Sequence, residues 1–170
     1  MAELQVPVRV EDHARGTLQA SVMLVMYGDY ECPYTRRAYR VVQRLLNDVP
    51  GELYFVYRHF PLIRIHPHAE HAAEASEVSA AQSMFWEMHD ALFAHEDADV
   101  RRYAADLALD TERFANDLET RAFAPRIAVD VRSGLASEVQ GTPMLDFNGR
   151  LHAGGYDEAT LRATIARLGG

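Results

Sequence analysis

The spacing of apolar and polar residues along the chain predicts that strands and helices alternate near the start. Residues 22–27 form a short apolar run, with the length and composition of a buried strand. Across residues 33–49 apolar positions recur at intervals of three and four, which is the pattern of an amphipathic helix, and Pro50 follows it. Residues 53–57 are rich in aromatic side chains and predict a second buried strand. Strand, helix and strand in this order indicate a parallel crossover unit.

The middle of the chain has helical periodicity throughout. Between roughly residues 66 and 138 no convincing strand pattern occurs, which predicts an all-helical insertion. Asp110 is expected to cap one short helix of this region. The last helix of the region is expected to bury Leu135 and to end at Gly141.

The pattern changes back to a period of two after the helical region. Residues 144–153 predict a hairpin, because Asn148-Gly149 at their centre supplies the positive φ angles of a tight turn. Asp157 is then expected to cap a final helix. A chain of 170 residues with this order of elements is predicted to be one α/β domain, residues 1–170, carrying the helical insertion.

Charge and composition exclude several kinds of function. The chain has 17 basic residues, all of them arginine, and 25 acidic residues, for a net charge of −8. This balance argues against binding nucleic acid or an anionic membrane. The first eight residues do not resemble a secretory signal, and no apolar run reaches the roughly 18 residues of a membrane span. We therefore expect a cytoplasmic location, or an exported one if a targeting segment has been removed.

Cys32 is the single cysteine, so no intramolecular disulfide and no multi-cysteine metal cluster can form within one chain. It lies where the first strand has ended and the first long helix begins, before Pro33, which is favoured at the first helical position. Unpaired N–H groups and the helix dipole favour a thiolate there, which makes Cys32 a candidate nucleophile. Thr35, one turn further on, is placed to donate a hydrogen bond to the sulfur. A small buried apolar residue is the alternative interpretation of a lone cysteine.

Five segments of the sequence are distinctive when taken together. They are Gly28-Asp29-Tyr30-Glu31-Cys32-Pro33-Tyr34-Thr35, Arg58-His59-Phe60-Pro61-Leu62, His66-Pro67-His68-Ala69, Phe85-Trp86-Glu87-Met88-His89 and Gly141-Thr142-Pro143. In this order they resemble the DsbA-like disulfide oxidoreductases of the thioredoxin fold, whose members carry Cys-Pro-x-Cys in the first segment. The resemblance runs from about Val22 to the end of the chain.

This resemblance implies a thioredoxin fold, a parallel crossover unit plus an antiparallel hairpin, interrupted by the helical insertion. It implies that Cys32 is the attacking thiol and that Thr142 precedes a cis Pro143 facing the sulfur. The backbone there would guide a substrate chain by hydrogen bonds. Pro33, Tyr34, Thr142 and Pro143 are the expected substrate-binding residues, and Cys32 and Thr35 the expected catalytic ones.

The sequence departs from the family pattern at two positions. Thr35 stands where the family has its second cysteine, and Met26 stands where many members carry a buried acid. In a dithiol enzyme the second thiol releases the substrate and the acid assists its proton transfer. Both departures therefore indicate a site that does not run a dithiol cycle, because threonine cannot resolve a mixed disulfide.

A single thiol has two redox reactions open to it. It attacks a disulfide and is released by an external thiol, or a peroxide oxidises it to a sulfenic acid. We expect the first, with no bound cofactor and with glutathione or another small thiol as co-substrate. The expected partner is a disulfide-containing protein or a mixed disulfide with a small thiol; a homodimer is left open.

Two other functions remain open from the residues. One is a degenerate, non-catalytic binding module of the same fold, which the two lost groups favour equally well. The other is a kappa-like glutathione-dependent transferase or isomerase, although that branch typically has serine where this chain has Cys32. Replacing Cys32 with alanine separates the catalytic and binding hypotheses.

Two charged clusters are weaker candidates. Four arginines follow Cys32 on the polar side of its helix, where Arg36 and Arg37 would attract the carboxylates of an anionic thiol; the full set is Arg36, Arg37, Arg40 and Arg44. A solvated helix face is the alternative. Three histidines near two glutamates invite comparison with metal sites, but their spacing matches no known metal motif, so no metal site is expected; they are His66, His68 and His71, near Glu70 and Glu74.

Overall fold

The computed structural model describes residues 3–97 and 99–170. This part of the chain contains five strands and seven helices. The strands are β1 (His13–Gly16), β2 (Val22–Gly28), β3 (Leu53–His59), β4 (Met144–Phe147) and β5 (Arg150–Leu151). The helices are α1 (Pro33–Asp48), α2 (Ala69–Ala80), α3 (Phe85–Ala94), α4 (Val100–Asp106), α5 (Thr111–Glu119), α6 (Ala124–Ala136) and α7 (Glu158–Gly169).

The strands form one mixed sheet in the order β1-β3-β2-β4-β5. Strands β2 and β3 run parallel and are joined by α1, as the crossover pattern predicts. Strand β4 lies antiparallel to β2, and β5 completes the hairpin. Helices α2 to α6 come between β3 and β4. The predicted α/β thioredoxin fold with an all-helical insertion is confirmed.

Successive side chains of β2 point to opposite faces of the sheet, and this divides the core into two layers. Val22, Leu24 and Met26 belong to a large cluster with residues of α1, α7 and the helical insertion. Val25 and Tyr27 point to the opposite face, where they pack with residues of β3 and of the segment before β1. Because both faces of the strand are covered, β2 is an almost continuous apolar run.

The tight turn and two predicted caps are confirmed. Asn148 and Gly149 have φ angles of +52° and +85°, which is the left-handed region that the hairpin turn requires. The carboxylates of Asp110 and Asp157 accept hydrogen bonds from backbone N–H groups in the first turns of α5 and α7. These features depend on neighbouring residues, so the local sequence predicts them well.

Strand β1 is absent from the sequence prediction. Its four residues, His-Ala-Arg-Gly, have no alternating apolar pattern, and the strand forms because its backbone pairs antiparallel with β3. An edge strand of this kind is specified by its partner and not by its own residues.

The predicted end of α6 is also wrong. The helix ends at Ala136, five residues before Gly141, where Glu138 turns the chain with a φ of +59°. Leu135, expected inside, is 61% exposed. A non-glycine residue in the left-handed region leaves no signal in the apolar pattern.

Candidate active site

Cys32 is the N-cap residue of α1, and Pro33 is the first residue of the helix. The backbone N–H of Cys32 donates to the carbonyl of Asp29, which holds the turn between β2 and α1. The cysteine is largely covered, with 3% of its surface exposed. Its sulfur therefore lies at the N-terminal end of a 16-residue helix, where unpaired N–H groups and the dipole favour negative charge.

The fold brings the loop before β4 against Cys32. The Cys32 thiol donates a hydrogen bond to the carbonyl oxygen of Thr142, with 3.2 Å between sulfur and oxygen. The Thr142–Pro143 peptide bond is cis. Two segments 110 residues apart in sequence thus meet at one sulfur atom. Cys32, Thr142 and Pro143 lie together, as the resemblance implies.

Thr35 is wholly buried below the cysteine, but it does not bond to the sulfur. Its hydroxyl has no hydrogen-bond partner among residues 3–97 and 99–170. This corrects the expected hydrogen bond to Cys32, because the thiol uses the Thr142 carbonyl instead. The Thr35 methyl group packs at Gly28, where a Cβ atom would lie 2.9 Å from it and 2.6 Å from the ring of Tyr57.

The position of the family's buried acid is apolar in this structure. Met26 is fully buried on β2, and its register partner on β3 is Tyr57. Burial, followed by nearby phenolic and acidic groups, raises the pKa of Tyr57 well above its ordinary value, so the phenol stays protonated. The described part of the chain therefore places no carboxylate on β2 behind Cys32.

Asp29, which the sequence prediction passed over, organises the loop before Cys32. One oxygen of its buried carboxylate accepts from the backbone N–H of Glu31. The other accepts from the backbone N–H of Leu62 and from the Nδ1–H of His66, at 2.8 Å each. His66, considered above as a metal ligand, thus ties the loop after β3 to the active-site loop. The side chain of an Asp in a loop often accepts a hydrogen bond from the backbone N–H two residues further on. The Asp directly after β2 was therefore the local signal for this role.

A groove of about 690 Å³ runs beside the loop that contacts the sulfur. Its walls include Thr142, Pro143 and the 55%-exposed ring of Tyr34, all three of them predicted substrate-binding residues. Leu151 and Tyr156 also line the groove and were not predicted. Pro33, the remaining predicted residue, is exposed at the start of α1.

Beyond this groove lies a second, more apolar hollow. It is formed by the loop after β3, where Ile63 and Ile65 are 58% and 67% exposed. Gln140 lines both depressions, so they adjoin one another. Exposed apolar side chains gathered in one hollow are typical of a surface that contacts another molecule.

The arginines of α1 do not form one free cationic surface. The Arg36 guanidinium donates to the carbonyl oxygens of Phe93 and His95 at the end of α3, and partial burial lowers its pKa. Arg44 is paired with Glu158 on α7. The Nη1 group of Arg36 is therefore held at the end of α3 by these two carbonyl oxygens.

Comparison with known proteins agrees with this geometry. Residues 9–167 match the sequence profile of the family described as Thioredoxin. Two solved structures superpose closely. The thioredoxin-like oxidoreductase from Silicibacter pomeroyi has a TM-score of 0.79 and 27% identity, covering 94% of this chain and 92% of that one. Oxidised BdbD from Bacillus subtilis has a TM-score of 0.80 and 20% identity, covering 91% of each chain.

The curated relatives are much longer proteins. The chain is 47% identical over 168 residues to the Na(+)/H(+) antiporter NhaA 3 of Salinispora tropica, a match that covers 96% of this chain and 26% of that protein. It thus spans about a quarter of the length of the curated relatives it matches. None of the helices among residues 3–97 and 99–170 has the length and apolarity needed to cross a bilayer.

The profile match covers nearly the whole chain. The chain therefore belongs to the thioredoxin family, and it carries Thr35 at the position where the DsbA-like sequence pattern has its second cysteine.

Proposed function

We propose that this chain is a monothiol thiol–disulfide oxidoreductase in which Cys32 is the reacting group. The observation that carries the proposal is the position of the Cys32 sulfur. It lies at the N-terminus of α1, 3.2 Å from the Thr142 carbonyl oxygen, beside the groove that Tyr34 and Pro143 line. A helix N-terminus favours the thiolate, which is the form that attacks a disulfide.

The reaction would have two exchange steps. The Cys32 thiolate attacks one sulfur of a substrate disulfide; a new S–S bond forms, the old one breaks, and the second substrate sulfur leaves as a thiolate that takes up a proton. An external thiolate then attacks the substrate sulfur of this mixed disulfide and releases Cys32 as a thiolate. No net electron transfer to the protein occurs over the cycle.

An external thiol is required because the position one turn after Cys32 holds Thr35. Its hydroxyl cannot displace a thiolate, and its side chain is buried and packed at Gly28. Glutathione or a similar small thiol would perform the second step as a co-substrate. The apolar position of Met26 fits this cycle, since no second thiol needs a proton acceptor.

A disulfide in a protein is the substrate class that suits the surface best. The groove has aromatic and aliphatic walls, and the exposed side chains of Ile63 and Ile65 extend the apolar area. Glu138 is the charged residue in the groove wall, and Nη1 of Arg36 already donates to two carbonyl oxygens. These features offer little to the two carboxylates of glutathione and more to an extended polypeptide.

Intact-mass spectrometry tests the proposal. Incubation with oxidised glutathione should add one glutathione to the chain, and reduced glutathione should remove it. The Cys32→Ser variant, as the matched control, should show no adduct. Absence of an adduct on the wild-type chain, with the fold intact by circular dichroism, would contradict the proposed activity.

A second candidate function is a thiol-independent module that works with a Na(+)/H(+) antiporter. It is favoured by the curated relatives, which are antiporters with about a quarter of their length similar to this chain. In this case the thioredoxin fold would act as a binding surface, and Cys32 would be dispensable.

The two candidates differ in their dependence on Cys32. Binding of the immobilised chain to the detergent-solubilised Salinispora tropica antiporter should be unchanged by Cys32→Ala if the chain is a binding module. If Cys32→Ala abolishes glutathione-reversible exchange but leaves binding unchanged, the two functions belong to separate surfaces.

The predicted cytoplasmic location stays a prediction. Fractionation of cells that produce the native gene product tests it.

A further inference from the structure

Three metal-ligating side chains converge on the side of the sheet away from β4 and β5. They are His13 on β1, His59 at the end of β3 and Glu77 on α2. The Nε2 atoms of the two histidines lie 2.9 Å and 2.8 Å from the same carboxylate oxygen, Oε1 of Glu77. All three potential ligand atoms lie within 4.8 Å of one another. We propose that this cluster is a binding site for a divalent transition metal of the zinc class.

The donor set matches that class of metal. Two imidazole nitrogens and one carboxylate oxygen form a known three-residue set for Zn²⁺, with the fourth position left to water. Co²⁺, Ni²⁺ and Cu²⁺ accept the same donors. The cluster is a poor site for Mg²⁺ or Ca²⁺. These cations prefer six or more oxygen ligands, and this cluster offers one carboxylate.

The present distances are those of hydrogen bonds, and metal binding requires a small rearrangement. An ionised carboxylate can only accept, so both Nε2 atoms now carry a proton and donate to Glu77. With the metal bound, each imidazole would shift its proton to Nδ1 and present the Nε2 lone pair. For metal–ligand distances of about 2.0–2.2 Å in a tetrahedron, each N···O separation opens by roughly 0.5 Å.

Glu77 supplies the acidic oxygen of the cluster. Its Oε1 atom faces both imidazoles, and its side chain is 4% exposed, so a bound cation would meet a carboxylate inside the protein. The guanidinium of Arg126 is paired with Asp130.

The surroundings would hold the ligands in place. The side chains of His59 and Glu77 are 1% and 4% exposed, whereas that of His13 is 17% exposed. The ring of Phe85 stacks on His13 with 3.4 Å between ring centroids. An apolar shell limits the access of solvent to a metal site, and the partly open side at His13 gives the ion and its water ligand a route in. A bound ion would join the edge strand to β3 and to the helical insertion.

Spectroscopic titration with Co²⁺ tests the site. The full chain carrying Cys32→Ser is used, so that the thiol cannot bind the metal. After treatment with a chelator, Co²⁺ should give the visible d–d absorption of a four-coordinate ion, saturating at one equivalent, and Zn²⁺ should displace it. Zn²⁺ should also raise the melting temperature of this protein.

Matched variants on the same background locate the ion. Glu77→Gln keeps a hydrogen-bond acceptor but removes the charge, and it should weaken Zn²⁺ binding at least about tenfold. His71→Ala, which removes an exposed histidine, should change the affinity less than about twofold. Absence of the Co²⁺ spectrum, or unchanged affinity in Glu77→Gln, would overturn the proposal. If Glu77→Gln does not fold, His13→Phe replaces it: this variant should also weaken Zn²⁺ binding, and an unchanged affinity would overturn the proposal.

Discussion

The thiol of Cys32 and the carbonyl oxygen of Thr142 lie 3.2 Å apart and share a hydrogen bond. This contact joins the start of α1 to the loop before β4, so Cys32 and the groove wall are held together. The bond exists only while the sulfur carries its proton. Ionisation or disulfide formation at Cys32 therefore breaks it and leaves the carbonyl free to accept from another group.

Thr35→Cys should restore a dithiol site. The substitution recreates the Cys-Pro-x-Cys spacing of the DsbA-like pattern, with the second thiol one turn after the N-cap residue Cys32. Treatment with oxidised glutathione should then give a protein two hydrogens lighter than the reduced form, in place of a stable glutathione adduct. Intact-mass spectrometry distinguishes the two products. Thr35→Val is the control, because it has similar size and no thiol, and it should form the adduct as the wild type does.

Gly28→Ala should destabilise the site without removing any functional group. The new Cβ atom would lie 2.6 Å from the Tyr57 ring and 2.9 Å from the Thr35 methyl group, and both distances are too short unless the neighbours or the backbone at residue 28 shift. We expect a loss of about 1–3 kcal/mol in the free energy of unfolding, measured in urea. Gly141→Ala is the comparison, since nothing lies within 4 Å of a Cβ atom there. Equal losses at both positions would contradict the packing argument.

His89 should make stability depend on pH below neutrality. Burial, followed by the charge of Arg15, lowers the pKa of His89 well below its ordinary value, so the folded protein keeps the ring neutral. The unfolded chain takes up a proton below about pH 6.5, and stability therefore falls as the pH falls, by up to about 1.4 kcal/mol per pH unit.

The His89→Asn variant isolates this contribution. Asparagine keeps an acceptor for the Tyr30 hydroxyl, which lies 2.7 Å from His89 Nδ1. Between pH 7 and 5 its free energy of unfolding should fall less steeply than that of the wild type, as measured by urea unfolding at each pH. The exposed-site variant His71→Asn should keep the wild-type slope, and an unchanged slope in His89→Asn would refute the assignment.

Asp12→Ala should be strongly destabilising. The Asp12 and Arg58 side chains are both fully inside the protein, with 2.8 Å between Oδ2 and the guanidinium nitrogen. Removing the carboxylate leaves a buried charge without its partner, which costs about 3–5 kcal/mol. Asp48→Ala breaks a solvent-exposed pair with Arg162 and should cost less than about 1 kcal/mol. Denaturant unfolding of the two variants measures the difference, and similar costs would show that burial does not decide it.

The Asp12–Arg58 pair also makes stability depend on pH, but here the folded protein favours the charged form of the titrating group, whereas at His89 it favours the neutral form. Burial would raise the pKa of Asp12, but the hydrogen bonds and charges of Arg58 and Arg9 lower it below its ordinary value. Its stabilising contribution is therefore complete above the ordinary pKa of an aspartate and is lost as the pH falls through the lowered one.

Arg36→Ala should affect stability and not recognition of a small thiol. The guanidinium caps the carbonyls of Phe93 and His95, and losing these charged hydrogen bonds should cost about 1–3 kcal/mol. The rate of glutathione adduct formation should stay within about twofold of the wild type. Arg37→Ala, at an exposed position of the same helix, should change neither quantity. A large fall in the adduct rate with Arg36→Ala alone would revive a role in binding anionic thiols.

Local interactions determined the parts of this protein that the sequence predicted. Proline is favoured in the first turn of a helix and disrupts the interior of one. Cys32-Pro33 therefore marks the start of α1 without any information from the rest of the fold. Asn148-Gly149 specifies its turn in the same way. The family resemblance added which distant loop would lie near Cys32, and the structure brings the two together.

The sequence by itself therefore determined the order of most elements and the placing of the single thiol at a helix N-terminus. Only the tertiary structure decided which long-range partner each polar group found. The Cys32 thiol bonds to Thr142 and not to Thr35, Arg36 caps α3, and β1 exists because β3 offers it a free edge. The physical reason is that a buried donor or acceptor must be paired where packing allows, and that packing depends on elements far apart in the chain.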